Sequence, residues 1–302
     1  MKSKISEEFK LMQDRICQRL EELDGLAAFR EDNWQREEGG GGRTRVISNG
    51  KVFEKGGVNF SEVHGPVTDL MKKQLKMDGD SFYATGVSIV LHPHHPFVPI
   101  MHMNVRYFQL DEGDYWFGGG IDMTPHYVNP KQAGIFHQGL KEICDKYHPE
   151  FYQKFKVWAD DYFFIPHRNE TRGVGGIFYD HQKATIDVSK EQLLQFALDL
   201  GDVFAQLYEH QYEMGVSKEY SEEHLKWRNL RRGRYVEFNL VHDRGTQFGL
   251  KTGGRIESIL MSLPETASWV YDYKPVANSD EEKTLSWLKK DIDWLSMSTH
   301  GM

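Results

Sequence analysis

The sequence predicts an α+β fold: a single domain, residues 1–302, built on a large, mainly antiparallel β-sheet. Three observations predict it. Strand-like runs follow one another early in the chain, helical patterns group in the middle and strand-like runs return late, an order unlike alternating βαβ units. No internal repeat and no linker rich in Pro, Gly or Ser marks a boundary along the 302 residues. The composition, 39% hydrophobic and 27% charged, is that of a globular protein, and a chain of this length has enough apolar surface for one large core.

The elements follow in order. Ile5, Phe9, Met12, Ile16, Leu20 and Leu23 recur at steps of three and four, the stripe of one helix, with Gly25 as its stop. Gly39 to Gly42 read as a flexible loop or, because Arg36, Arg43 and Arg45 flank them, as a flap over a site. Asn49-Gly50 between RVIS and KVF predicts a type I′ hairpin. Phe82–Leu91 and Pro99–Leu110 read as strands joined by a proline-bearing loop, and Tyr115–Met123 as a third strand. A helix runs from Pro130 to His148 behind an Asn129 cap, and another lies between Pro149 and Pro166. Ser189 with Gln192 opens a long helix through about Tyr212. Arg234–Val241 and Ser268–Tyr273 read as strands, Ile256–Leu263 as a short helix. A last helix is capped by Ser279 and striped by Leu285, Leu288, Ile292 and Leu295.

Charge and composition exclude several function classes. A formal net charge of −8 argues against nucleic acid as the main partner, since phosphate binding needs a basic footprint. No apolar run approaches the length of a membrane span. Two cysteines, Cys17 and Cys144, give no disulfide framework, and the acid-bearing N-terminus resembles neither a secretory signal nor a transit peptide, so a cytoplasmic location is expected. Dinucleotide, phosphate-loop, nucleophile-elbow and zinc-helix motifs are absent.

The chemistry concentrates on two strands. Side chains alternate along a strand, so Gly86, Ser88, Val90 and His92 share one face of the first. His102, Asn104, Arg106 and Phe108 share one face of the second, opposite Met101, Met103, Val105 and Tyr107. Paired as a hairpin, these strands bring Ser88, His92, His102, Asn104 and Arg106 to one surface. A merely solvated face has the same alternation, but is typically filled with Lys, Glu and Thr. Asp122 on the third strand would face the same way, with Gly118 and Gly120 leaving room for a bulky ligand. His137 and His167, singly, read as structural histidines; with His92 and His102 they would make an imidazole cluster for a divalent metal. Gly253-Gly254-Arg255 at a helix start reads either as a carboxylate site or as a plain turn.

Long blocks of the chain resemble the aerobic coproporphyrinogen III oxidases, the oxygen-dependent enzymes of haem biosynthesis. They include WQREEGGGGRTRVISNG, ATGVSIVLHPHHPFVPIMHMNVRYF, WFGGGIDMTPHY, FFIPHRNETRGVGGIFYD and RRGRYVEFNLVHDRGTQFGLKTGGRIESILMSLP. The resemblance implies a homodimer whose subunit is a large antiparallel sheet flanked by α-helices on both faces. It implies that two propionates of coproporphyrinogen III become vinyls with O₂ as co-substrate, without an organic cofactor. It implies that Ser88, Asn104, Val105, Arg106, Gly253, Gly254 and Arg255 bind substrate, that His102 donates a proton and that Asp122 engages the pyrrole nitrogens. His92, His102, His137 and His167 fall on positions that resemblance marks as metal ligands, for a divalent ion such as Mn²⁺. The rival readings are a histidine-metal oxygenase for a small substrate and a tetrapyrrole carrier without turnover.

Overall fold

The computed structural model describes residues 1–75, 79–111 and 113–298. The chain opens with helix α1 (Lys2–Asp24), which Gly25 ends in the left-handed conformation at φ 68°. Strands β1 (Arg30–Gln35), β2 (Gly40–Ser48) and β3 (Phe53–Pro66) follow. After α2 (Asp69–Leu75) come β4 (Ser81–Pro93), β5 (Ile100–Leu110) and β6 (Asp114–Thr124). Helices α3 (Pro130–Tyr147) and α4 (Phe151–Tyr162) lead through the two-residue strands β7 (Phe164–Ile165) and β8 (Glu170–Thr171) to β9 (Gly176–Gln182). Six helices follow among the described residues: α5 (Lys190–Val216), α6 (Glu222–Val241), α7 (Arg244–Lys251), α8 (Ile256–Leu260), α9 (Asp280–Trp287) and α10 (Leu295–Ser298).

Among the described residues, seven strands form one antiparallel sheet in the order β1-β2-β3-β4-β5-β6-β9. One face is greasy: Val87, Ile89, Met101, Met103, Val105 and Tyr107 are buried under the layer to which α1, α3 and α5 belong. The other face carries α6 and the segment behind it. Tyr235 of α6 packs on Val90 and Ile100, and Ser258 of α8 hydrogen-bonds Thr44 of β2 at 2.7 Å. Helices therefore flank both faces, as expected.

Several elements differ from expectation for identifiable reasons. Arg234–Val241 is not a strand but the second half of α6. Four arginines of this helix, Arg228, Arg231, Arg232 and Arg234, are buried, so the polar residues that conceal its period sit inside the protein. Of its apolar side chains, Phe238 is buried and Leu240 is exposed. Ser268–Tyr273 forms no strand, and its Tyr271 is fully solvated. The last helix stops at Trp287, with Leu288 as its C-cap, and a separate turn of helix begins at Leu295. Gly40 to Gly42 are neither loop nor flap: they are the first residues of β2, all three paired with β3 and Gly41 and Gly42 also with β1. A Cβ on Gly42 would strike the Trp34 ring and the Phe60 carbonyl, so glycine lets neighbouring groups close over this strand.

The β2–β3 hairpin is present, but its connection runs from Asn49 to Val52 rather than being a two-residue type I′ turn. Asn49 N–H donates to Glu54 O at 3.1 Å and Gly50 N–H to Phe53 O at 2.9 Å. The carboxylate of Asp24, the last residue of α1, accepts the N–H groups of Lys51, Val52 and Phe53 at 3.0, 2.8 and 3.0 Å. This buried side chain fastens the helix end to the hairpin.

Candidate active site

Register across β4, β5 and β6 sets the site. Ser88 pairs with Asn104 and Asn104 with Gly120; Val90 pairs with His102 and His102 with Asp122; Gly86 pairs with Arg106 and Arg106 with Gly118. His102, Asn104 and Arg106 are half-buried on the face away from α1 and α5, while Met101, Met103, Val105 and Tyr107 are buried on the other. The alternation read from the sequence is thus the real one. Val105 lies on the opposite face with its side chain fully buried, so of the Asn104–Arg106 stretch only the two outer side chains face the site.

His102 Nδ1 lies 2.8 Å from Asp122 Oδ1. Asp122 is buried, and Arg172 Nη2 donates to both its oxygens at 2.7 Å. Arg172 Nη1 also donates to Asn239 Oδ1 of α6 at 2.7 Å. The guanidinium lies among the rings of Phe163, Tyr235 and Phe238, at 4.4, 4.7 and 4.7 Å from their centroids. Burial pushes the Asp122 carboxyl up, but the Arg172 charge and the His102 contact outweigh it and hold the group below its ordinary value. Ionised Asp122 therefore keeps the shared proton on His102 Nδ1, which leaves Nε2 as the nitrogen available for chemistry. Both Asp122 oxygens are thus engaged by protein side chains, Oδ1 by His102 and Arg172 and Oδ2 by Arg172.

The glycines of β6 make room for neighbouring protein groups. A Cβ on Gly118 would meet Asp180 Oδ1 at 2.5 Å and Arg106 Nε at 2.9 Å; one on Gly120 would meet the Ile177 carbonyl at 2.8 Å. Arg106 crosses Gly118 to reach Asp180 Oδ2 at 2.8 Å and donates through Nη1 to Asn104 Oδ1 at 3.2 Å. Arg172 and Asp180 were not singled out from the sequence. Both lie in the block FFIPHRNETRGVGGIFYD, but only the folded sheet brings them to His102 and Arg106.

At the β1 end, Gly253 has φ 74° and Arg255 is the N-cap of α8. Arg255 Nη2 donates to Asp32 Oδ2 at 2.5 Å and Nη1 to Ser258 Oγ at 3.2 Å. Gly253, Arg255, Trp34 and Arg36 line a cleft of about 350 Å³.

Of the other three expected metal ligands, each has at least one ring nitrogen engaged by protein. His137 on α3 is buried with both ring nitrogens taken, Nδ1 by Tyr152 OH at 2.9 Å and Nε2 by the Val174 carbonyl at 3.0 Å; burial lowers its pKa to about 3. His92 is buried, with Nε2 2.8 Å from the Ser262 carbonyl. His167 lies at the surface, 3.1 Å from both Glu237 and His242. Among the described residues no group of three or more His, Cys, Asp or Glu is arranged to hold a metal. A metal does not fit a ligand set that includes His137: its Nε2–H donates to the Val174 carbonyl, so Nδ1 carries the lone pair and accepts from the Tyr152 hydroxyl.

A family model described as coproporphyrinogen III oxidase matches residues 4–294, and the chain belongs to that family. It is 46% identical over 98% of its length to the mitochondrial oxygen-dependent coproporphyrinogen-III oxidase of Rattus norvegicus, covering 69% of that protein. It is 46% identical over 94% of its length to the chloroplastic coproporphyrinogen-III oxidase 1 of Arabidopsis thaliana, covering 76%, and 45% identical over 98% to the mitochondrial enzyme of Homo sapiens, covering 67%.

Proposed function

We propose that this chain catalyses the oxygen-dependent oxidative decarboxylation of coproporphyrinogen III to protoporphyrinogen IX in haem biosynthesis. Each reacting propionic acid side chain loses CO₂ and two hydrogens to become a vinyl, and O₂ takes up the two hydrogens as H₂O₂. The observation that carries the reading is the His102–Asp122–Arg172 relay beside Arg106 on one sheet face, in a chain of this family. His102 Nε2 handles the proton, Asp122 and Arg172 hold the ring, and Arg106, Asn104 and Ser88 hold carboxylate. Arg255 with Gly253 and Gly254 supplies a second cationic anchor at the other end of the sheet.

The reduced tetrapyrrole is electron-rich and can itself supply the electrons, so the reading uses O₂ and no organic cofactor. A divalent ion such as Mn²⁺ enters only as a modest activator, and no step is routed through it. The subunit is proposed to pair as a homodimer through Leu240, Val241, Leu250, Ile256, Trp269 and Val270, which are exposed in this chain. The buried free thiols Cys17 and Cys144 suit the reducing cytoplasm as its location. Among the described residues no helix is long and apolar enough to cross a membrane.

The test is aerobic incubation of purified protein with coproporphyrinogen III, followed by oxidation and protoporphyrin fluorescence. Binding without product would leave a carrier; neither binding nor product would refute the reading. Repeating the assay after chelation, with metal content checked by elemental analysis, should retain turnover. Loss restored only by stoichiometric iron or copper would replace the proposed mechanism with a redox-metal one.

A further inference from the structure

Arg106 stands between two glycines in the sheet: its cross-strand neighbours are Gly86 on β4 and Gly118 on β6. Its guanidinium lies across Gly118 and meets Asp180 of β9, Nη2 to Oδ2 at 2.8 Å. The β6–β9 register shifts between Phe117 and Gly119, which brings Asp180 opposite that glycine. Asp180 is itself fixed, because its Oδ1 accepts the backbone N–H of His181 at 2.9 Å. His181 holds the left-handed conformation at φ 50°, a strained state for a non-glycine residue, and its ring stacks on Trp116 at 4.7 Å. A strained, stacked residue thus aims one carboxylate at one arginine, over a glycine whose Cβ would displace both.

We infer that Asp180 is a positioning residue: it holds the Arg106 guanidinium over Gly118, so that donors left free by Asp180 and Asn104 are set in advance for a substrate carboxylate. The inference rests on the proposed substrate-binding role of Arg106. An arginine has five donors, and these two acceptors leave others unused. Holding a long, partly exposed side chain in its binding geometry removes the ordering cost from the binding step. Asp180 also carries a negative charge near an anionic ligand. The proposal requires that the gain from pre-ordering exceed that repulsion, which solvent screens at this half-exposed position.

A double-variant cycle decides it. Coproporphyrin III, the air-stable oxidised tetracarboxylate, is titrated into the full chain and into Arg106→Ala, Asp180→Ala and the double variant, with binding read by fluorescence. Asp180→Ala should weaken binding about tenfold, but less than about twofold when Arg106 is already Ala. In turnover assays the loss should fall on KM, with kcat largely kept. Gly118→Ala should reproduce the Asp180→Ala effect, because its methyl group takes the space of the pair. Asp180→Asn keeps the shape should the alanine variant fold poorly, and should show the same loss in weaker form. Equal losses in both Arg106 backgrounds would mean a structural role only, and tighter binding by Asp180→Ala would make Asp180 a competitor; either overturns the inference. Turnover by the unsubstituted chain tests the functional reading separately.

Discussion

Arg172 holds Asp122 with one nitrogen 2.7 Å from both carboxylate oxygens, and both side chains are almost wholly buried. A buried ion pair of this kind contributes little over an apolar replacement, but losing one partner strands a charge. Arg172→Met should therefore destabilise the protein by about 3–5 kcal/mol, and Arg172→Met with Asp122→Leu should recover most of that loss. Denaturant unfolding measures both; a double variant no more stable than the single would contradict the pairing.

Arg106→Ala should raise KM by roughly ten- to a hundredfold, the equivalent of about 1.5–3 kcal/mol for a charge-assisted hydrogen bond. Its site is a half-buried lane between two glycines, so the fold should survive. Steady-state kinetics with unchanged KM and kcat would remove Arg106 from the binding face.

Acid stability should be governed in part by buried neutral imidazoles. Burial, and then the charges of Arg232 and Arg228, hold the His126 imidazole well below its ordinary range, and its Nδ1 lies 3.2 Å from the Pro96 carbonyl. The folded pKa is depressed, so below about pH 6.5 the unfolded chain binds a proton that the folded chain refuses. Stability should then fall as pH falls, by up to about 1.4 kcal/mol per pH unit for each such group. His126→Asn keeps a donor for the Pro96 carbonyl and does not titrate. Its unfolding free energy should decline less steeply from pH 6.5 towards pH 4; parallel curves would refute the assignment.

Dimerisation should depend on the exposed apolar segment that follows α6. Light scattering at micromolar concentration should give twice the subunit mass of 35.2 kDa, and Trp269→Asp should lower it. Trp269 is about half exposed and its Nε1–H donates to Glu237 at 2.9 Å, so the substitution leaves the core untouched. A monomer without substitution would exclude this surface as a self-association site.

The central strands were legible because one face of each carries hydrogen-bonding groups and the other is apolar and buried under α1, α3 and α5. Ser88, His102, Asn104 and Arg106 could be placed on a common surface from period two alone. Helix α6 was not legible, since Arg228, Arg231, Arg232 and Arg234 are buried by tertiary partners such as Glu54 and Glu170, and sequence patterning assigns arginine to solvent. Arg172 and Asp180 escaped for a related reason: each gains its role from a residue 50 or more positions away. Four consecutive glycines suggested flexibility, yet Gly40 to Gly42 are held as a strand by β3, and Gly41 and Gly42 by β1 as well.

The Asp24 carboxylate, which accepts the amides of Lys51, Val52 and Phe53, also ties the isotope exchange of two of them to α1. Val52 and Phe53 are buried, so their amide hydrogens should be protected from exchange for as long as the end of α1 stays docked on the hairpin. Two protons in a hairpin turn therefore report on the docking of a 23-residue helix from which they are remote in sequence.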